Sequence, residues 1–165
     1  MTTTAPPAPV VHSRPMAATP EAVVDALNAL LEAEQNSIFR FMQEGSPYLG
    51  RATAEVRRPL QAMVRASYRH CAELSAAIES LGGNPRPRGL QPEEQYLAFL
   101  SLKFLLPKLV EAKKLTIRRY ENTLKALDDA PGAAEARGLL EQHLNEHRTD
   151  LATLEKATAD VLAKK

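Results

Sequence analysis

Four stretches of this chain repeat apolar residues at spacings of three and four, the period of a helix with one buried face. The first opens at Thr19-Pro20-Glu21, where Thr can cap, Pro fits the first turn and Glu faces the positive end of the helix dipole. It carries Val23, Val24, Leu27, Leu30, Leu31, Ile38 and Phe41, and Gly45-Ser46-Pro47 is expected to end it. The second has Pro59 in its first turn, after a short turn over residues 53–58. It runs through Leu60, Met63, Ser67, His70, Leu74, Ala77, Ile78 and Leu81 to a stop at Gly82-Gly83-Asn84-Pro85. The third is predicted from Glu93 to about Leu127, with Leu97, Leu100, Phe104, Val110, Leu115 and Leu124 apolar and a bend or split at Pro107. A turn at Asp128-Asp129-Ala130-Pro131-Gly132 leads to the fourth, which carries Leu140, Leu144, His147, Leu151, Leu154 and Val161 on one side.

These elements predict an all-α, four-helix bundle of two antiparallel hairpins. The stiff polar stretch over residues 83–92 is read as a long crossover between them rather than a tight turn. Residues 1–18, rich in Thr, Ala and Pro and without hydrophobic period, are read as a flexible tail, and residues 19–163 as one bundle domain. At 165 residues the chain can bury a core without covalent staples. Twenty-one basic against twenty acidic side chains leave a charge of +1, so no field favours nucleic acid or an anionic membrane. The single cysteine, Cys71, excludes an internal disulfide or a thiolate cluster and is read as a packed core thiol. No leader-like start and no uncharged run of membrane length is present, and a cytoplasmic location is expected.

Ionisable residues within the apolar stripes carry the candidate chemistry. Glu34 and His70 are 36 positions apart, and so are Glu111 and His147. At about 1.5 Å of rise per residue, near-equal distances from the hairpin turns set each Glu level with its His. Two such hairpins packed together would hold two carboxylates and two imidazoles in one layer, a costly arrangement unless something binds them. The segment His70-Cys71-Ala72-Glu73-Leu74 also resembles His147-Arg148-Thr149-Asp150-Leu151, 77 residues on, as in a duplicated unit. Three readings stay open: one divalent ion on Glu34, His70, Glu111 and His147, a donor set suited to iron, manganese or zinc; Glu73 and Asp150 as replacement ligands or acceptors for the imidazole N–H groups; or a metal-free polar layer. His143, four before His147, is read as an ordinary neighbour, the arginines at 57, 58, 65, 69, 86 and 88 as solvated faces, and Tyr96, Phe99, Phe104 and Tyr120 as packing.

On these helix pairs and this ligand spacing, roughly residues 20–163 resemble the ferritin-like superfamily, and bacterioferritin and rubrerythrin-type proteins most. The resemblance implies iron, with a metal-dependent oxidase or ferroxidase-like activity or a role in metal handling. In that family each half supplies a Glu from its first helix and a Glu-x-x-His from its second, the latter Glu bridging two irons. Glu34, His70, Glu111 and His147 match that pattern, whereas Ser67 and Leu144 stand at the bridging positions and cannot offset the repulsion of two close cations. Tyr68 stands where bacterioferritin can carry a haem-ligating Met, so no haem is implied. With eighteen residues after His147 there is no room for the fifth helix common in cages, and a homodimer is expected. The alternative reading is a non-catalytic helical scaffold or interaction module that has lost its di-iron centre. No Ser/His/Asp arrangement, glycine-rich phosphate loop or Cys/His cluster supports a hydrolase or a nucleotide-dependent enzyme.

Overall fold

The structure, a computed structural model, describes residues 19–42, 54–86, 100–127, 130 and 132–163. The predicted tail, the Gly45-Ser46-Pro47 stop and most of the predicted crossover lie outside those residues. Among the described residues five helices follow in order: α1 Pro20–Gln35, α2 Ile38–Phe41, α3 Ala54–Ser80, α4 Leu102–Ala126 and α5 Ala134–Ala163. Among the described residues there is no strand, and no helix is long and apolar enough to cross a membrane.

Helix α1 starts as its sequence predicts: Thr19 is extended, its Oγ1 accepts from Ala22 N at 3.3 Å, and Pro20 opens the first turn. It does not continue to Phe41. Asn36 and Ser37, both better suited to caps than to helix interiors, break it well before Phe41, and Ser37 Oγ caps the short α2 by accepting from Phe39 N. That break turns Ile38 and Phe39 into the core. Helix α3 is longer than predicted, because residues 54–58 join it in one helix with Pro59 inside. It closes as a Schellman motif: Gly82, at φ 74°, donates to Glu79 O, and Gly83 N donates to Ile78 O. Gly83 also lies so close to Val24 that a Cβ would stand 2.6 Å from its Cγ1. Asn28 of α1 holds the exit from α3, donating to Asn84 O and accepting from Arg86 N at 2.7 Å.

Residues 93–99 of the helix expected from Glu93 lie outside the described residues; residues 100 and 101 are not helical, α4 begins at Leu102 after an extended Ser101, and Pro107 lies inside α4 without splitting it. The larger correction concerns which face is buried. Leu105, Leu106, Leu109, Val110, Lys113, Ile117 and Tyr120 point inward, while Phe104 and Leu115 of the predicted stripe are exposed.

Paired residues show the four long helices to run antiparallel to their neighbours. Glu34 meets Ser67 while Asn28 meets Asn84; Lys113 meets Asp150 while Leu124 meets Arg137. Across the hairpins, His70 meets Glu146 while Glu73 meets His143, and Glu34 meets Tyr120 while Phe39 meets Lys113. The core forms two clusters. One contains Val23, Leu27, Leu74, Ile78, Leu127 and Leu140; the other contains Ile38, Phe39, Leu60, Leu105, Leu109 and Leu154. Each fully buried Leu or Ile contributes about 1.5–3 kcal/mol. Between the clusters lies a polar layer.

Candidate metal centre

Every helix except the four-residue α2 sends at least one polar side chain into this layer. Glu34 comes from α1, Ser67 and His70 from α3, Lys113 and Tyr120 from α4, and His143 and His147 from α5, all of them buried. Such groups are tolerable only when paired. At the centre is Glu34. Its Oε1 accepts from His147 Nε2 at 2.8 Å and from the Tyr120 hydroxyl at 3.1 Å, and its Oε2 accepts a long bond from Ser67 Oγ at 3.4 Å. Burial pushes the Glu34 carboxyl up, but the hydrogen bond from His147 and the nearby charge of His147 and His70 outweigh it and hold the group well below the usual carboxylate range.

The three imidazoles differ in how their second nitrogen is occupied. His70 Nε2 faces Glu146 Oε2 at 3.0 Å, and Arg69 holds that same carboxylate oxygen from outside. His70 Nδ1 is buried, has no hydrogen-bond partner, and lies 3.7 Å from Glu34 Oε1. His143 Nε2 faces Glu73 Oε2 at 2.7 Å and its Nδ1 lies 3.2 Å from the Tyr120 hydroxyl. With the His143 Nε2 proton given to Glu73, Glu34 and His143 compete for the one phenolic proton of Tyr120. His147 is set between opposite charges: Nε2–H donates to Glu34, and Nδ1 accepts from Lys113 Nζ at 3.1 Å. Lys113 donates to Asp150 Oδ2, also at 3.1 Å, and lies over the Phe39 ring. The rings of His143 and His147 are centred 4.0 Å and 4.8 Å from that of His70.

Local electrostatics separates the three. Burial lowers His70, but Glu34 and Glu146 overcome it and raise the group above the ordinary histidine value. Burial together with the charge of His70 pushes His143 down to about 4 against the pull of Glu73. Burial also lowers His147, with Lys113 and His70 adding to it and Glu34 opposing. Burial and Glu34 hold Tyr120 as a phenol, and burial pushes the Cys71 thiol up to about 11, which fits a packed core thiol.

Three of the four candidate ligands therefore meet. One ligand atom from each of Glu34, His70 and His147 lies within 4.8 Å of the others. Glu111 does not join them: its side chain is 70% exposed and pairs with Lys114. The reason is angular: residues two positions apart on a helix point about 200° apart, so the inward face of α4 carries Lys113 and turns Glu111 outward. Glu73 and Asp150 do not back the histidines three residues before them; Glu73 accepts from His143 and Asp150 from Lys113. Sequence reasoning passed over His143, Tyr120, Lys113 and Glu146. A signal existed for the first three, because Leu106, Leu109, Lys113, Ile117 and Tyr120 form an unbroken three-four series and His143 lies one turn before His147. Nothing in the local pattern marks Glu146.

Residues 21–156 match the family described as Domain of unknown function (DUF6306). The chain belongs to this family. No curated protein is significantly similar to this DUF6306 chain in sequence. Among solved structures, a bacterioferritin of Desulfovibrio desulfuricans, studied with its diiron site in different catalytic states, is similar with a TM-score of 0.73 over 88% of this chain and 82% of its own. At 18% identity, that likeness is one of fold. The DUF6306 chain is thus a ferritin-like helical bundle with a buried Glu/His/His group capable of holding a metal ion.

A pair of metal ions does not fit its side chains. Ser67 and Leu144 provide no bridging carboxylate, and the Lys113 ammonium adds positive charge beside His147. A single ion fits better. His70 gives Nε2–H to a carboxylate and turns an unpartnered lone pair toward Glu34, the orientation that metal-binding histidines adopt. Nδ1 and an ionised carboxylate oxygen both present lone pairs, so a cation is needed between them, either a proton on His70 or a metal ion.

Proposed function

We propose that this protein binds a single transition metal ion, iron in the first place and manganese or zinc as alternatives, through Glu34, His70 and His147. In this reading it acts in metal handling or as a metal-dependent oxidase. The observation that carries the reading is His70 Nδ1, buried and without a hydrogen-bond partner, facing the central carboxylate while Glu146 fixes the other side of the ring. A mixed carboxylate and imidazole set suits iron, manganese or zinc. Such an ion supplies Lewis acidity or one-electron chemistry at an open coordination position. The chain's own part is to hold Glu34 ionised, to orient His70 through Glu146, and to keep the layer dry between two apolar clusters. The same reading takes the protein as a cytoplasmic homodimer, in keeping with its single cysteine.

Elemental analysis of protein purified without added metal tests it. About one ion per chain is expected, with occupancy or affinity reduced at least about tenfold in His70→Ala and His147→Ala. A protein that takes up no iron, manganese or zinc under equilibrium dialysis would refute the reading. A second reading, a metal-free scaffold with a polar core layer, is favoured by one observation: both nitrogens of His147 are already engaged, by Glu34 and by Lys113. It predicts that the two alanine variants change stability alone.

A further inference from the structure

Lys113 departs from the pattern set by the other buried cationic or imidazole groups. His70 and His143 each direct one ring nitrogen to a carboxylate, as a ligand histidine does, but His147 has an ammonium on the nitrogen opposite Glu34. Lys113 is 4% exposed, and its Nζ lies 3.1 Å from both His147 Nδ1 and Asp150 Oδ2. One imidazole nitrogen, one carboxylate oxygen and an aromatic face thus converge on a single positive centre. The nitrogen and the oxygen are the kinds of donor a divalent ion would use.

We infer that the Lys113 ammonium is a built-in substitute for a second cation, and that this residue limits the layer to one metal ion. The inference rests on the metal-binding reading above. The ammonium fills the space between His147 Nδ1 and Asp150, and its charge repels any divalent ion approaching that side. It has a second effect through hydrogen bonding. By donating to Nδ1, it keeps the His147 proton on Nε2, on the side of Glu34, so a metal ion binding at Nε2 must release that proton to solvent and leave the ring to share a proton of Lys113 through Nδ1. Lys113 is a specificity-determining residue in this scheme: it sets how many ions the layer accepts and how tightly it holds the first.

Cobalt(II) titration, followed by its visible absorption and by elemental analysis after dialysis, tests the inference on the full chain, with circular dichroism confirming the fold of each variant. Wild type is expected to bind one ion. Lys113→Glu, which places a carboxylate beside His147 Nδ1 and Asp150, is expected to bind two. Lys113→Met, which keeps the stem and removes the charge, is expected to bind one ion at least about tenfold more tightly. Should Lys113→Glu fail to fold, Lys113→Met decides alone. A wild type that already binds two ions, or a Lys113→Met protein with wild-type affinity, would overturn the role given to Lys113. A wild type that binds none would sink the metal reading instead; the substitution of Lys113 for an ion then stands if either variant gains one, and falls if neither does.

Discussion

The two halves of the bundle treat the histidines that face Glu34, His70 and His147, in opposite ways. In the α1/α3 half, His70 is backed by a carboxylate and presents a free nitrogen to the centre; in the α4/α5 half, His147 is backed by an ammonium and spends its inward proton on Glu34. Glu34 and Lys113, each buried on the first helix of its half, carry opposite charges. The difference teaches that two antiparallel helix pairs in one bundle need not carry the same chemistry. One side leaves an unpartnered imidazole nitrogen facing the central carboxylate, and the other already holds a cation.

The strongest way to break this comparison is to remove the charge both halves share. Glu34→Ala leaves the partners of that carboxylate, His147 and Tyr120 above all, buried without it, and should cost about 3–5 kcal/mol in urea unfolding. It should also abolish metal uptake. Loss of less than about 1 kcal/mol would mean that the layer is wet or rearranges freely.

Acid and base should separate the imidazoles in metal-free protein. His143 is lowered to about 4, so below the unfolded value near 6.5 the unfolded chain takes up a proton that the folded one does not, and stability falls as pH drops toward 4. His70 is raised, so its contribution is full below about 6.5 and is lost as pH climbs through its folded value. Urea midpoints should therefore peak near neutrality. His143→Gln should make the acid limb shallower, and His70→Gln the alkaline one; equal effects of both variants on both limbs would erase the contrast between these two rings.

Smaller effects sharpen the picture further. Ser67→Ala removes only a 3.4 Å bond to Glu34 Oε2 and should cost no more than about 1 kcal/mol, with metal occupancy unchanged. Glu111→Ala should alter neither metal binding nor the melting temperature measurably, since its exposed carboxylate meets only Lys114. A Glu111 variant that lost the ion would restore the four-ligand set expected from spacing.

Much of the architecture follows from local pattern. The α1 cap at Thr19, the Gly82-Gly83 stop of α3, the antiparallel pairs and the inward placement of Glu34, His70 and His147 were all legible, because three-four spacing and turn chemistry act within a few residues. The break after α1 was less so, since Asn36-Ser37 is only a weak interruption until the core draws Ile38 and Phe39 inward. In α4 the 36-residue repeat points to Glu111, and an apolar series through Phe104 and Leu115 is consistent with it. The competing series through Leu106, Leu109, Ile117 and Tyr120 contains a lysine, a residue ordinarily expected outside.

What the sequence determined by itself was a helical bundle with acid and imidazole groups on its inner faces, because helix period, caps and hydrophobic burial are properties of neighbouring residues. Tertiary structure alone decided that Lys113 rather than Glu111 enters the layer, that Glu146 backs His70, and that Tyr120 and His143 complete the network. The physical reason is that a buried charge is admitted only where partners from other helices meet it, and which partners arrive is set by the rotation and register of helices packed against one another.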